Sequence, residues 1–392
     1  MKTLKRTWAD ISLDNLEYNY RSIRAHLPQG TKFLGVMKAD AYGHGAVPVS
    51  RALADLGAEY LAVSNLEEAV QIRRGEVRLP ILILGYTPAE YAANMIFLDI
   101  TQEVHSLEYA RELNEALAGT NYILNVHLKL DTGMTRIGFF AYDNERTLDE
   151  LRQVAQLPHL HIEGVFMHFC VADSRAEADV SFTKLQYKRF MDMLSAMAGV
   201  GIRPEIRHCC NSGATILYPE FALDMVRPGI ITYGNAPSDE LEGALSLRPM
   251  MSLHSMIAQV RTVPAGTDIS YGRLYRTKEE TRVAVLPIGY ADGLSRLLTG
   301  KASFYLQGHQ VPVIGRICMD MCMLDVSGVP EAKPGDVVTI FGYDDDGTLL
   351  PCERLARAQG TINYELLCQI SKRIPRICHR GAETSQILQY IV

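Results

Sequence analysis

A lysine stands where an apolar run gives way to small residues, in the stretch VMKADAYGHG at residues 36–45. A lysine that is partly desolvated at the end of a buried strand loses some of its preference for the charged form. A neutral amine is the nucleophile that forms Schiff bases with carbonyl compounds. Lys38 is therefore a candidate for the attachment of an aldehyde cofactor.

Other polar residues stand at the ends of later apolar runs in the same way. Lys129 and Asp131 end one run, His168 ends the next, and Arg227 ends the last. In a barrel of parallel strands the carboxyl ends of all strands meet at one face, where active sites form. One such residue alone is more often solvated or ion-paired, but several at corresponding positions favour a single convergent site.

Two short stretches could bind the phosphate that an aldehyde cofactor such as pyridoxal phosphate carries. In CNSGATIL, Ser212 opens a predicted helix whose first N–H groups could bind an anion. In RPGI, Gly229 would let the backbone approach a ligand closely. Neither signal is specific by itself.

The elements that must position these residues alternate between short apolar runs and amphipathic helical stretches up to about residue 240. This pattern predicts βα units with a parallel sheet, and about eight units in this length predict a (β/α)8 TIM barrel. A doubly wound open sheet is the competing architecture. The predicted strands are Phe33–Lys38, Tyr60–Ser64, Ile81–Gly85, Asp99–Val104, Ile123–Leu130, Ile162–Phe169, Ile206–Asn211 and Met225–Ile230. A helix with Ser12 as its N-cap precedes them.

After about residue 243 the chain consists of short, partly alternating strands joined by Gly, Pro and Asp turns. This pattern predicts a C-terminal, mostly antiparallel β domain. We therefore expect a barrel over residues 1–243, followed by a β-rich domain over residues 244–392.

Composition excludes several classes of partner. The formal charge of -6 comes without a Lys/Arg cluster, so neither a nucleic-acid surface nor a polybasic membrane patch is expected. The N-terminal stretch has no secretory pattern, and no apolar run approaches the roughly 20 residues of a membrane span. The eight cysteines include no CxxC pair, which predicts reduced thiols and no metal site. We expect a cytoplasmic protein with a small-molecule partner.

Seven stretches, in the same order and over nearly the whole chain, resemble those of the alanine racemase family of barrel-fold pyridoxal-phosphate enzymes. They are VMKADAYGHG, HLKLDTGMTRIG, NSGATILYPE, MVRPGIITYG, DISYGRLY, VIGRICMD and TINYELLCQISKRIPR. The resemblance implies a homodimer that interconverts L- and D-alanine, and D-alanine is a peptidoglycan precursor. Each active site would be shared between the subunits.

The resemblance also assigns roles to individual residues. Lys38 would hold the cofactor and act as one proton-transfer base, and Tyr271 from the β domain of the partner subunit would act as the other. The implied residues of the pyridoxal-phosphate site are Lys38, Tyr42, His168, His208, Ser212, Arg227, Gly229, Ile230 and Tyr364.

Arg227 would face the pyridine nitrogen of the cofactor. A guanidinium has only donors and stays protonated, so that nitrogen must accept and the ring is a weaker electron sink. Prompt protonation of the opposite face is then favoured, which requires a second base. A phenol with a pKa near 10 is ionised in only about one molecule in a thousand at neutral pH, a cost of roughly 4 kcal/mol unless the site offsets it.

The substrate carboxylate would be bound by Arg136 and by the backbone N–H of Met319, with Asp320 at the entrance. Lys129 matches a lysine that is carbamylated in some members of the family. The sequence departs from the usual family pattern in CMDM and HFCVADS, near the substrate. Serine or another small amino acid is therefore an alternative substrate.

Two further alternatives use the same barrel. A related decarboxylase would be expected to place an acidic residue at the pyridine nitrogen, which Arg227 disfavours. A non-catalytic pyridoxal-phosphate carrier would lack the β domain that bears Tyr271 and Tyr364.

Overall fold

The structure, a computed structural model, describes residues 6–142 and 144–390. The chain forms two compact units. The first unit comprises residues 16–41 and 46–248, and the second comprises the described residues up to 15, residues 42–45 and those from 249 onwards.

The strands, in chain order, are β1 (Thr7–Ser12), β2 (Lys32–Val36), β3 (Tyr60–Val63), β4 (Ile81–Ile83), β5 (Ile100–Val104), β6 (Leu124–Asp131), β7 (Phe139–Phe140), β8 (Leu160–Phe166), β9 (Ile206–His208), β10 (Met225–Val226), β11 (Met251–Met256), β12 (Gln259–Val263), β13 (Asp268–Ile269), β14 (Tyr275–Arg276), β15 (Thr281–Leu286), β16 (Ser303–Leu306), β17 (His309–Ile314), β18 (Cys322–Asp325), β19 (Val337–Tyr343), β20 (Leu349–Leu350), β21 (Arg376–Arg380) and β22 (Glu383–Leu388). The helices are α1 (Leu13–His26), α2 (Lys38–Tyr42), α3 (Ala46–Leu56), α4 (Leu66–Arg74), α5 (Ala92–Phe97), α6 (Leu107–Ala116), α7 (Asn144–Val154), α8 (Glu177–Gly199), α9 (Ser212–Leu217), α10 (Cys352–Gln359) and α11 (Asn363–Gln369).

The first unit is a nearly closed barrel of eight parallel strands, in the order β10-β2-β3-β4-β5-β6-β8-β9. All eight predicted strands are present, and the barrel is confirmed over the open sheet. Most of their residues are buried, as expected for parallel strands covered on both faces. The side chains of Asn65 and Ser106 cap α4 and α6 by accepting hydrogen bonds from first-turn N–H groups.

The second unit contains a largely antiparallel sheet, which confirms the predicted character of the C-terminal region. Its main path runs β12-β15-β18-β17-β16-β19-β11-β1-β21-β22. Strand β1 pairs antiparallel with β11 and parallel with β21. The sequence analysis predicted no strand at Thr7–Ser12, although it did predict the cap that follows, where Ser12 Oγ accepts from the Asn15 N–H at 3.1 Å.

The residues after Lys38 form a left-handed turn, a conformation that costs about 1–2 kcal/mol per non-glycine residue. The φ angles of Ala39, Asp40, Ala41 and Tyr42 lie between 52° and 56°. Strand β2 accordingly ends at Val36, two residues before the predicted end. In a strand successive side chains alternate between two faces, whereas in this turn they point outwards in successive directions around the turn axis.

Side chains from neighbouring elements hold the beginning of this turn. Glu68 Oε1 accepts from the Ala39 N–H at 2.7 Å. Asp40 Oδ1 accepts from the Ala46 N–H at 2.8 Å and from Gln71 Nε2 at 3.3 Å. Strain of this kind persists only where the surroundings enforce it, which is typical of functional sites.

Among residues 6–142 and 144–390, no helix is long and apolar enough to cross a bilayer. The same part of the chain contains no group of three His, Cys, Asp or Glu side chains placed to hold a metal ion.

Candidate active site

Arg227 lies in the barrel interior and donates only to uncharged acceptors. Its Nη1 is 3.0 Å from His208 Nδ1, and its Nη2 donates to the carbonyls of Met167 at 2.7 Å and Cys209 at 3.1 Å. Nη2 is also 3.4 Å from His168 Nδ1. Burial lowers the pKa of Arg227 to about 10, so the guanidinium keeps its charge at neutral pH.

His168 and His208 are held in their neutral form by this surrounding. Burial, followed by the positive charge of Arg227, lowers the pKa of each well below its ordinary value. For His168 the charges of Lys129, Arg136 and Lys38 act in the same direction. These residues therefore share one electrostatic environment, which we call the barrel-mouth cluster: Lys38, Lys129, Arg136, His168, His208 and Arg227.

Lys129 is a buried amine within this cluster. Only 5% of the residue is exposed, and its Nζ lies 4.6 Å from the centre of the Phe166 ring. Burial and the charges of Arg227 and Arg136 lower its pKa well below the ordinary lysine value. This surrounding favours the neutral, nucleophilic amine more strongly than water would.

Arg136 is exposed on a loop that Asp131, at the end of β6, holds in place. Asp131 Oδ1 accepts from the N–H groups of Gly133, Met134 and Thr135 at 2.9–3.1 Å. Gly138 closes the loop with φ 133°, and a Cβ there would lie 2.8 Å from the Lys129 carbonyl oxygen. The loop is thus tied to the strand that carries Lys129.

Ser212 and Gly229 are joined directly, as the predicted phosphate site requires. The Gly229 N–H donates to Ser212 Oγ at 2.9 Å, which leaves the hydroxyl hydrogen of Ser212 available for another acceptor. Asn211 caps α9, accepting through its side chain from Ala214 N–H and through its carbonyl from Thr215 N–H. The N–H groups of Ser212 and Gly213 in the first turn remain for other acceptors. Ile230 begins a short 3₁₀ helix next to Gly229.

Tyr42 and Tyr364 lie together in the second unit. Their ring centroids are 6.0 Å apart, with an angle of 54° between the ring planes. Burial raises the pKa of Tyr42, so its phenol stays protonated and can donate a hydrogen bond. The same region holds Gly43, whose carbonyl accepts from Arg376 Nε at 2.9 Å.

Tyr271 projects from a short turn, residues 270–273, which we call the tyrosine turn. The residue is 71% exposed in the single chain. The backbone beneath it is fixed, because Ser270 Oγ donates to the Arg316 carbonyl at 2.7 Å. Asp268, which precedes the turn, binds Arg273 at its end and Arg276 after it, at 2.5 Å and 2.8 Å.

Met319 and Asp320 lie on an exposed loop of the second unit. The Met319 carbonyl accepts from the Ala291 N–H at 3.0 Å, and no described residue accepts from the Met319 N–H. Asp320 Oδ1 binds Arg373 Nη2 at 2.8 Å. Arg373 also lies 3.7 Å from the buried carboxylate of Asp292.

The structure brings together the six residues of the barrel-mouth cluster, Ser212 with Gly229, and Tyr42 with Tyr364. Sequence reasoning overlooked two residues that contact the histidines of the cluster. Gln186 of α8 donates to the carbonyl of His168 at 3.3 Å and accepts from the Cys170 N–H at 3.2 Å. His127 was also missed, although it shares a strand face with Lys129 and Asp131 at a spacing of two.

Comparisons with known proteins cover nearly the whole chain. Residues 11–237 match the family described as alanine racemase, N-terminal domain, and residues 250–378 match alanine racemase, C-terminal domain. An alanine racemase of Desulfovibrio desulfuricans is 46% identical over 370 residues, covering 94% of this chain and 97% of that protein. One from Clostridium tetani is 42% identical over the full length of both chains.

Solved structures are similar over the same extent. Alanine racemase from Clostridium difficile 630 superposes with a TM-score of 0.93 at 40% identity and full coverage of both chains. Alanine racemase from Bacillus anthracis, in a structure with bound L-Ala-P, gives a TM-score of 0.93 at 34% identity, covering 100% of this chain and 99% of that one.

Proposed function

This chain belongs to the alanine racemase family, and we propose that it interconverts L-alanine and D-alanine with pyridoxal 5'-phosphate as its cofactor. The observation that carries the proposal is the environment of Arg227. A buried guanidinium whose partners are all neutral acceptors suits an unprotonated pyridine nitrogen. The carboxylate partner expected in a related decarboxylase has no counterpart among these contacts.

The proposal assigns hydrogen-bond donors to the rest of the cofactor. Lys38 would hold its aldehyde carbon, and the Ser212 hydroxyl and the Ile230 N–H would bind its phosphate, with Gly229 holding the Ser212 hydroxyl in place. Tyr42, as a neutral phenol, and Tyr364 would add donors to the same phosphate. His168 and His208 would hold Arg227 in its orientation.

The chemistry is a transfer of protons at the Cα of the substrate. Pyridoxal 5'-phosphate, when bound, withdraws electrons from that carbon and so acidifies its proton. Lys38 would remove or return a proton on one face, and Tyr271 of the partner subunit on the other. Arg136 and the Met319 N–H would bind the substrate carboxylate, and Asp320 would stand at the entrance.

Assembly as a homodimer is supported by the exposure of the tyrosine turn. A catalytic phenol that is 71% exposed to water is poorly suited to proton transfer until another surface covers it. Leu274, Met319 and Ile362, also in the second unit, are likewise more than half exposed. We infer that the partner subunit supplies the cover and receives Tyr271.

The reaction is tested by incubating either alanine enantiomer with the holoenzyme in D₂O. Racemic product with deuterium at Cα supports the proposal, whereas exchange without inversion contradicts it. Cofactor binding with no exchange would instead indicate a carrier. A parallel comparison of kcat/KM for L-alanine and L-serine decides the substrate, because one hydroxyl is discriminated weakly by a pocket not built to bind it.

The shared site is tested with a mixture of two inactive variants, Lys38→Ala and Tyr271→Phe. If each site combines Lys38 of one subunit with Tyr271 of the other, half of the randomly mixed dimers are hybrids with one intact site. The mixture should then recover about a quarter of wild-type activity. Sites built within one chain would recover none, which would contradict the shared arrangement.

We also propose that Lys129 is carbamylated. Its buried amine has a lowered pKa, and Arg136 and Arg227 would stabilise the negative charge of the product. In this reaction the lysine nitrogen forms a bond to carbon dioxide and releases one proton. With ¹³C-labelled bicarbonate, a carbamate carbon signal should appear by NMR in wild type and in the surface variant Lys184→Ala, and be lost in Lys129→Ala. A wild-type spectrum without that signal would refute the modification.

A further inference from the structure

A chain of hydrogen bonds leads from Arg227 through the barrel interior to Glu163. Arg227 Nη1 is 3.0 Å from His208 Nδ1, and His208 Nε2 is 2.9 Å from His127 Nδ1. His127 Nε2 is in turn 3.1 Å from Glu163 Oε2. Neither His127 nor Glu163 has a place in the reaction described above.

The guanidinium of Arg227 fixes which atom donates and which accepts in every hydrogen bond from Arg227 to Glu163. Because a guanidinium only donates, His208 Nδ1 must accept. His208 is neutral and carries its single proton on Nε2, which it donates to His127 Nδ1. His127 then carries its own proton on Nε2 and donates it to Glu163. Burial lowers the pKa of His127 and of His208, which agrees with one proton on each ring.

Glu163 is suited to end the chain because only donors surround it. Tyr60 Oη donates to Oε1 at 2.8 Å, and Thr101 Oγ1 donates to Oε2 at 3.2 Å, beside His127. Burial alone would raise the pKa of Glu163, but the hydrogen bonds from His127 and Tyr60 outweigh it and lower that pKa. A carboxylate has no hydrogen to donate, so His127 Nε2 must present one.

Packing prevents the rings from correcting a wrong tautomer by turning over. A Cβ on Gly164 would lie 2.5 Å from the His127 ring, so the ring occupies the space that any other residue would fill. His208 is stacked on Phe166, with centroids 4.9 Å apart and ring planes 10° apart. Both histidines are fully buried.

We propose that Glu163 is a positioning residue for Arg227, acting through the tautomers of His127 and His208. With Glu163 present, His208 Nδ1 carries no hydrogen and accepts from the guanidinium. With the tautomers reversed, two N–H groups would face each other at 3.0 Å, and Arg227 would have to move. The proposal rests on the proposed function only in assigning Arg227 to the pyridine nitrogen.

The test reads the tautomers directly, by ¹⁵N NMR of histidine-labelled holoenzyme. Wild type should show His127 and His208 protonated at Nε2, with signals assigned from His127→Gln and His208→Asn. Glu163→Ala should shift the proton of His127, and in part that of His208, to Nδ1. Glu163→Gln, whose amide oxygen can still accept from His127, should restore the wild-type spectrum. Tyr60→Phe is the matched control, because it removes a neighbour of Glu163 and leaves the acceptor.

Racemisation gives a second measurement. In Glu163→Ala, kcat should fall by about 10- to 100-fold, by analogy with the loss of the hydrogen-bond partners that orient metal-binding histidines, with KM little changed. Glu163→Gln should recover most of that loss. A wild-type His208 protonated at Nδ1 would overturn the proposal even if the alanine variant failed to fold. Unchanged tautomers in a folded Glu163→Ala would overturn it equally. An enzyme without racemase activity would refute the proposed function, but leave the tautomer result standing.

Discussion

The two proposed bases lie in contrasting surroundings: Lys38 belongs to the barrel-mouth cluster, which is largely buried, and Tyr271 projects from the exposed tyrosine turn. In the barrel-mouth cluster, burial and the charges of neighbouring groups within a single chain shift the pKa values of Lys129, His168, His208 and Arg227. Tyr271 is exposed, and what fixes it is the backbone of its turn. The first region is organised within one chain, whereas the second holds an exposed side chain that, in the proposed homodimer, the partner subunit covers.

The largest effect is expected from a substitution in the barrel-mouth cluster. Lys38→Ala should lower the racemisation rate by at least about 10⁴-fold, because it removes both a base and the attachment of the cofactor. The cofactor's absorption band should shift to that of the unattached aldehyde. Lys184→Ala, an exposed lysine on α8, should change neither. Full activity in Lys38→Ala would remove the lysine from the reaction.

A substitution in the tyrosine turn should lower activity less than Lys38→Ala does and should leave the cofactor bound. We expect Tyr271→Phe to lower kcat by about 10³-fold, within the range of a lost proton-transfer group. Exchange of the Cα proton from L-alanine should be lost, and the cofactor's absorbance kept. Tyr275→Phe, on strand β14 beside the same turn, is the control. If absorbance and exchange fell together, the tyrosine would be structural instead.

A change of pH should affect the stability of the barrel-mouth cluster, because that cluster contains the buried histidine His208. The pKa of His208 in the folded state lies well below its ordinary value, so below about pH 6.5 the unfolded chain binds more protons. The stability that the protein gains from keeping His208 neutral is complete above that pH and is lost as the pH falls. The slope is about 1.4 kcal/mol per pH unit.

Denaturant unfolding of wild type at pH 7 and pH 5 should therefore show greater stability at pH 7. In His208→Asn the free energy of unfolding should change less with pH, because the slope contributed by His208 is removed. His161→Gln, at an exposed histidine, should retain the wild-type dependence. Equal dependence in wild type and His208→Asn would mean that the histidine is not held neutral.

The smallest effect concerns the support of the tyrosine turn. Hydrogen bonds from Arg276, which follows the turn, and from Arg273, its last residue, lower the pKa of Asp268 to about 2. Exposed pairs of this kind contribute little because water screens them, so Asp268→Asn should lower kcat by no more than about 5-fold. Glu280→Gln, exposed on the same segment, should have no effect. A loss near that of Tyr271→Phe would show that the ion pairs, not the backbone, position the phenol.

Local patterns in the sequence predicted a large part of this molecule. The eight barrel strands follow from apolar runs alternating with helical periods, and the N-cap at Ser12 follows from a polar residue before a periodic run. The assigned roles at Lys38, Arg227 and Tyr271 came from ordered stretches that resemble one family. Each of these signals is contained within a short run of consecutive residues, which is why it can be read without coordinates.

The sequence by itself determined the order of the elements, the character of the two sheets and the set of residues able to do the chemistry. Tertiary structure alone decided that β1 pairs with β11 and β21, that the residues after Lys38 turn left-handed, and that Arg227 reaches Glu163 through two histidines. Each of these depends on partners distant along the chain. Burial then fixes which atom of each partner carries the proton, and no local pattern contains that information.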